Sequence, residues 1–356
     1  MNPSNGNGYN GNGNRAHGSL WGIVLAGGEG SRVRGFLKQL CGGRGIKQFC
    51  SIVGRRSMLE HTLARVERLI PPERILVIVN AHHRLEAAPQ LRHWPRENLI
   101  YQPLNRDTGP GILLPLAHIS FRDPLATVAV FPSDHFILEE EKFMTAVGQA
   151  AAETDRHPMD MVLLGMTPDR LEQGYGWIEP EDKGQGGETR AVRRFFEKPS
   201  ASFARLLMTR GALWNTLVFT ARASALWELA RRAVPDLYQT FSLVRMMLAS
   251  RHAPHYIEHV YERMPVVNFS SEVLGPLASS LRVLPVPEVG WSDWGSADRI
   301  CASLKRMGKF EQLFDRLRFC NVDLDTQKLL AQFCARPPTK ISAPVKNHRP
   351  DLRAAG

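Results

Sequence analysis

No apolar run in the 356 residues approaches the roughly 18–20 needed to cross a bilayer, and the N-terminus lacks the cationic-then-apolar layout of a signal peptide. A soluble, cytoplasmic protein with no membrane partner is expected. Cysteine is scarce: Cys41, Cys50, Cys301, Cys320 and Cys334 are odd in number and include no C-x-x-C pair. Neither a disulfide framework nor a zinc knuckle is indicated, and free thiols are expected. There is no nucleic-acid reader module and no basic stretch interleaved with aromatics, so the net charge of +10 does not by itself imply a nucleic-acid partner. Part of that charge lies in residues 336–356, where Arg336, Lys340, Lys346, Arg349 and Arg353 face the single acid Asp351. That proline-containing segment reads as a disordered basic tail.

The 43% hydrophobic content is enough to bury a substantial core, in one large domain or one with a small appendage. Residues 1–18 are an Asn/Gly low-complexity arm that cannot contribute to a core. From Ser19 onward, β-branched runs alternate with amphipathic patterns. Leu20 to Val24, RILVIVN (74–80), NLIYQ (98–102), LATVAVFP (125–132) and MVLLGM (161–166) read as buried strands. Ser57 and Glu60 have capping-box spacing ahead of Leu59, Leu63, Val66 and Leu69 or Ile70 at helical intervals. This grammar predicts an α/β fold with a mixed, mainly parallel sheet between helices and ligands beyond the carboxyl ends of the strands. TRAVRRFFEKP (189–199) and LWNTLVFT (213–220) interrupt the alternation and suggest a substrate-side subdomain. The expected organisation is a catalytic domain over 19–300, a helical appendage over 301–335 and the tail.

The first strand runs into LAGGEGSRVRGFLKQLCGGRGIKQF, Leu25 to Phe49. It is not a Walker A loop, because no Gly-Lys-Ser/Thr follows, and Val33 stands at the third glycine position of a dinucleotide fingerprint. Gly27, Gly28 and Gly30 allow backbone N–H groups to approach a ligand closely, with Arg32 and Lys47 available for phosphate oxygens. An ordinary strand-to-loop turn explains the glycines equally well.

Further motifs follow in order: RDTGPG (106–111), FPSDH (131–135), GYGWIEP (174–180), FFEKP (195–199), WNTLVF (214–219) and GWSDWGS (290–296). With LAGGEGSR and KQF, this series resembles the sugar-nucleotide pyrophosphorylases, specifically the mannose-1-phosphate guanylyltransferase family, from about Leu20 to Ile300. The resemblance implies a Rossmann-like nucleotidyltransferase fold. It also implies in-line attack by a sugar-1-phosphate oxygen on the α-phosphorus of a nucleoside triphosphate, GTP favoured, with release of pyrophosphate. Such an oxygen is already anionic, so the catalyst has to hold two repelling anions together and neutralise developing charge.

On this resemblance Arg32, Lys47, Asp134, Lys198 and Asp293 form the catalytic set, and Asp134 and Asp293 hold Mg²⁺. The nucleotide site comprises Leu25, Ala26, Gly27, Gly28, Gly30, Arg32, Lys47, Thr108, Gly109 and Asp134. Gly176, Glu197, Lys198 and Asn215 receive the sugar phosphate. Taken without the family, Asp134 reads as a strand-end cap, Asp293 as an Asx turn, and Thr108 with Gly109 as a helix cap. A homo-oligomer remains open.

The chain departs from the family in several places. The segment between Arg32 and Lys47 is longer than usual, carries Gly42, Gly43 and Gly45, and has Gly35 and Ile46 where prolines are usual, so a mobile lid is expected. Asp107 to Gly111 replace Asn-Thr-Ala-Pro-Ala. Trp214-Asn215-Thr216-Leu217 replaces Trp-Asn-Ser-Gly, and Phe269-Ser270 replaces Phe-Asp or Ile-Asp. These changes leave two alternatives: the same chemistry on another nucleotide or sugar phosphate, or a catalytically silent nucleotide-sugar-binding regulator. No repeat-rich or cupin-like extension follows, so a single catalytic domain is expected. His255, Glu258 and His259 match H-x-x-E-H but read as a short surface helix behind Pro254. His82 and His83 read as surface residues.

Overall fold

The β-branched runs all become strands, and each carries apolar side chains on both faces. In the computed structural model, which describes residues 19–181, 188–318, 320 and 322–335, they are β1 (Leu20–Ala26), β2 (Ile75–Asn80), β3 (Leu99–Gln102), β4 (Thr127–Pro132) and β5 (Met161–Met166). Four more follow: β6 (Gly176–Pro180), β7 (Arg190–Glu197), β8 (Leu213–Arg222) and β9 (Leu281–Val286). The Asn/Gly-rich arm and the basic tail lie outside the described residues. Odd positions of β1, Trp21 and Ile23, enter one core layer and even positions, Val24 and Ala26, the other. A strand apolar on both sides needs cover on both sides. Helix Thr108–Arg122 packs in the first layer, and helices Met58–Val66 and Glu140–Arg156 pack in the second. The predicted capping box forms: Glu60 N donates to Ser57 Oγ at 3.1 Å and Ser57 N to Glu60 Oε2 at 2.7 Å.

The sheet order is β3-β2-β1-β4-β8-β5-β9-β7-β6, with β6 also touching β8. Pairing is parallel from β3 to β4 and between β5 and β9, and antiparallel wherever β8 or β7 takes part, so the sheet is mixed. The runs expected to form a subdomain are therefore strands of the same sheet. β8 lies at its centre, antiparallel to β4 and β5. Hydrophobic pattern alone does not reveal which neighbours a doubly buried strand selects.

The lengthened segment also differs from the mobile lid expected of it. Residues Arg34–Cys41 form a helix whose Phe36, Leu37 and Leu40 are buried. They share a third core with Leu304, Phe310, Leu313 and Leu317, from helices Ala297–Arg306 and Phe310–Arg318. Arg316 fastens the contact by donating to the carbonyls of Ile52 (3.0 Å) and Ser51 (3.0 Å). The helical appendage supplies the apolar face that an isolated glycine-rich loop would lack.

His82 and His83 are likewise not equivalent surface residues. They lie in the 3-10 turn Ala81–His83, not on an extended strand, and His83 is only 1% exposed. Among the described residues no helix is long and apolar enough to cross a membrane. The five cysteines are free.

His118 gives the fold a testable acid response. Burial within helix Thr108–Arg122, reinforced by Arg122, lowers its pKa to about 4. A base whose pKa falls on folding binds fewer protons in the native state, so its stability contribution is intact above about pH 6.5 and lost as pH falls through about 4. Urea titrations are expected to show a loss on the order of 3 kcal/mol from this residue, and His118→Gln should flatten the wild-type decline. Parallel pH profiles for the two proteins would refute the assignment.

Candidate active site

The glycine turn is held from behind by its carbonyls. Gln48 Nε2 donates to Ala26 O at 3.0 Å and Gly28 O at 2.8 Å, and Asn80 Nδ2 donates to Gly27 O at 2.6 Å. A Cβ at Gly27 would lie 2.7 Å from Gln102 Nε2, so a side chain there would push this scaffold apart. Gly30 has φ 57, a left-handed conformation that favours glycine, and lies over Lys47. The turn borders a cleft of about 420 Å³ whose walls include Leu25, Gly27, Gly28, Gln102, Asp107 and Thr108. Ala26 is fully buried behind it. Gly109 is not on its wall, since the Gly109 N–H donates to Val267 O at 2.9 Å.

Lys47 and the two aspartates meet at the end of the sheet. A short β-bridge between Phe136 and Ser292 sets the segment after β4 beside the one after β9, with N–H to O distances of 2.9 and 3.0 Å. Asp134 and Asp293 thereby come to one place although 159 positions separate them, the difference of their numbers. The buried Lys47 ammonium reaches both: Nζ lies 2.8 Å from Asp134 Oδ2 and donates to the backbone carbonyl of Asp293. Arg32, largely exposed, points its Nη2 to within 3.8 Å of Asp293 Oδ2.

Asp293 is held more tightly than Asp134. Its Oδ1 accepts from Arg299 Nη1 at 2.6 Å, Tyr175 Oη at 2.8 Å and Gly295 N at 2.9 Å. Burial opposes ionisation, but Lys47, Arg299 and these donors outweigh it and hold the carboxyl down to about 2. For Asp134, burial is likewise overcome, chiefly by Lys47, and its pKa is lowered. Burial keeps the neighbouring His135 neutral, with a pKa of about 4. Both carboxylates are therefore anions near neutral pH, with a cation between them.

The acceptor-side residues converge on β6, β7 and β8. Gly176 pairs with Glu197, and a Cβ at Gly176 would meet Glu197 Oε2 at 2.9 Å and Asn215 Cβ at 3.3 Å. Lys198 follows β7 with φ 47; its N–H donates to Tyr175 O at 3.1 Å, and its Nζ lies 3.3 Å from Glu197 Oε1. The β5–β8 pairing is irregular beside Asn215, and Leu217 there has φ 56. Asn215 Oδ1 accepts from Leu217 N at 3.1 Å, and its Nδ2 faces Ser270 Oγ at 3.5 Å. Two of the departures from the family pattern, Leu217 and Ser270, are thus neighbours of Asn215. The leucine also occupies a left-handed position where the family pattern has glycine.

Sequence reasoning missed Tyr175, Glu172 and Arg299. Arg299 pairs with Glu172 at 2.8 Å as well as with Asp293, and its guanidinium lies 4.6 Å from the centre of the Tyr175 ring. Tyr175 was visible inside GYGWIEP as an aromatic with a polar tip. Arg299 had no local signal beyond its place after GWSDWGS.

The glycine-rich turn that follows β1 and the group of Lys47, Arg32, Asp134 and Asp293 are thus placed at the end of a mixed sheet. The sequence profile of the nucleotidyl transferase family matches residues 21–307, and the chain belongs to that family. Within it, the chain is 31% identical over 293 residues to mannose-1-phosphate guanylyltransferase 2 of Escherichia coli O157:H7, covering 77% of this chain and 58% of that protein. It is 31% identical over 294 residues to the mannose-1-phosphate guanylyltransferase of Escherichia coli K12, covering 79% and 59%. The chain thus spans less than two thirds of the length of these curated relatives. A Thermus thermophilus structure described as mannose-1-phosphate geranyltransferase superposes with a TM-score of 0.69 at 28% identity, covering 82% of this chain and 79% of that one.

Proposed function

We propose that the protein is a cytoplasmic enzyme that transfers a guanylyl group from GTP to mannose-1-phosphate, yielding GDP-mannose and pyrophosphate. The general chemistry, nucleotidyl transfer to a sugar-1-phosphate, is that of its family. The observation that carries the reading is the buried Lys47 ammonium joined to Asp134 and to the Asp293 carbonyl, with Arg32 above. The glycine turn would receive the triphosphate, and Arg32 and Lys47 would draw charge from its α-phosphate and leaving group. Lys198 would pair with the sugar phosphate, while Glu197 and Asn215 accept and donate hydrogen bonds to the sugar hydroxyls. A sugar-phosphate oxygen forms the new P–O bond as the bond from the α-phosphorus to the bridging oxygen breaks, and pyrophosphate departs with that electron pair. No side chain has to remove a proton.

The donor set suits Mg²⁺. Asp134 and Asp293 offer hard carboxylate oxygens, the donor type that ion prefers. Asp134 and Asp293 would hold the ion, which neutralises phosphate charge when bound. The Leu217 and Ser270 departures beside Asn215 favour, as a second reading, a related sugar-1-phosphate as acceptor.

A pyrophosphate-release panel crossing the four nucleoside triphosphates with hexose- and heptose-1-phosphates tests both. GTP with mannose-1-phosphate should be the fastest pair, and EDTA should abolish it. A faster reaction with another sugar phosphate would select the second reading. No release from any pair would leave a silent nucleotide-sugar-binding relative.

A further inference from the structure

A second cluster of ligating groups, separate from Lys47 and the two aspartates, includes a residue of the glycine turn itself. Glu29, between Gly28 and Gly30, directs Oε1 toward two imidazoles at the end of β2: His82 Nε2 at 3.0 Å and His83 Nε2 at 3.8 Å. One donor atom from each of the three lies within 4.8 Å of the others. Donors 2.0–2.1 Å from a tetrahedral ion are about 3.3 Å apart, so the 3.0 and 3.8 Å separations bracket the edge of a zinc-type coordination shell.

The surroundings hold these groups in place. Arg34 grips the other Glu29 oxygen at 2.9 Å and the Glu29 carbonyl at 2.7 Å, leaving Oε1 to the imidazoles and a long 3.4 Å contact from Asn80 Nδ2. Arg44, from the lengthened segment, donates to the His82 carbonyl at 3.1 Å and to Glu86 Oε1 at 2.9 Å. His83 is 1% exposed, and its Nδ1 is buried without a hydrogen-bond partner. That atom is the ring nitrogen away from Glu29, so an ion at the cluster would be held through Nε2.

We propose that Glu29, His82 and His83 form a binding site for a borderline transition-metal dication of the Zn²⁺ and Co²⁺ class, separate from Asp134 and Asp293. Two imidazoles and one carboxylate select such ions over Mg²⁺, which prefers oxygen donors and retains its water. Three protein ligands leave one tetrahedral position open. Because Glu29 also borders the cleft, the site ties the end of β2 to the phosphate-facing turn through a single ion. The exposed H-x-x-E-H residues on helix Ala253–Arg263 provide a contrast: His255 is 91% exposed and contacts Glu258 at 3.5 Å.

Untagged full-length protein, free of nucleotide and sugar phosphate, tests the site independently of the substrate reading. Calorimetry with Zn²⁺ should show one saturable site per chain, and Co²⁺ should develop the visible d–d absorption of a tetrahedral nitrogen-oxygen environment. His82 is 47% exposed in its side chain, so His82→Ala should fold normally and weaken Zn²⁺ binding at least about a hundredfold. His255→Ala should leave it unchanged. The proposal is overturned by absence of saturable Zn²⁺ uptake, by equal affinity in His82→Ala, or by loss of binding in His255→Ala.

Discussion

Lys47→Met is expected to lower turnover at least about a hundredfold, the scale on which a transition-state electrostatic contact is lost. Methionine keeps most of the length and apolar stem of lysine, so the change isolates the ammonium. In the wild type that ammonium is 2.8 Å from Asp134 Oδ2 and bonded to the Asp293 carbonyl, with its side chain 5% exposed. Without it the two carboxylates, already mutually repelling, lose the cation that each depends on most to stay ionised. Their pKa values should rise, and the acid limb of the pH–rate profile should move toward neutrality. A merely structural role for Lys47 would lower the melting temperature without moving that limb. Wild-type turnover in Lys47→Met would remove the residue from the site.

Asp134→Asn and Asp293→Asn should each reduce Mg²⁺-dependent turnover by at least about a hundredfold, because each removes one anionic oxygen while keeping the side chain's size. The two variants should differ in stability. Asp293 anchors Arg299, Tyr175 and the Gly295 N–H, whereas Asp134 has one close ionic partner, Lys47. Asp293→Asn leaves Arg299, 15% exposed in its side chain, with Glu172 as its remaining acidic partner. Thermal unfolding should therefore shift down clearly for Asp293→Asn and less for Asp134→Asn. Retained turnover in either variant would dismiss that aspartate, and equal melting shifts would contradict the network drawn around Asp293.

The residues gathered at the end of the sheet were named from the family resemblance, which rests on short segments in a fixed order; read alone, Asp134 looked like a strand-end cap and Asp293 like an Asx turn. Glycines follow a strand, aspartates end strands or sit in turns, and Lys47 stands in KQF. The geometry that unites them was less legible. In the sequence Leu217 is only a departure from Trp-Asn-Ser-Gly, yet its left-handed backbone belongs to an irregular β5–β8 pairing beside Asn215. The lengthened glycine segment looked like a free lid, yet Leu37 and Leu40 are buried against helices that begin more than 250 residues later. Flexibility inferred from glycine content holds only where no other part of the chain supplies an apolar surface.

Periodicity and hydrogen bonds spanning a few residues were enough to specify β1 to β5 and the Ser57 capping box. Long-range packing was needed to run β8 antiparallel through the middle of the sheet and to bring Arg299 and Tyr175 against Asp293. It also set Glu29 opposite His82 and His83 across 53 and 54 positions, from the differences of their numbers. The physical reason is that a strand buried on both faces has the same apolar pattern whichever neighbour it pairs with. Only the closed sheet, with each face covered, fixes which distant loops end side by side.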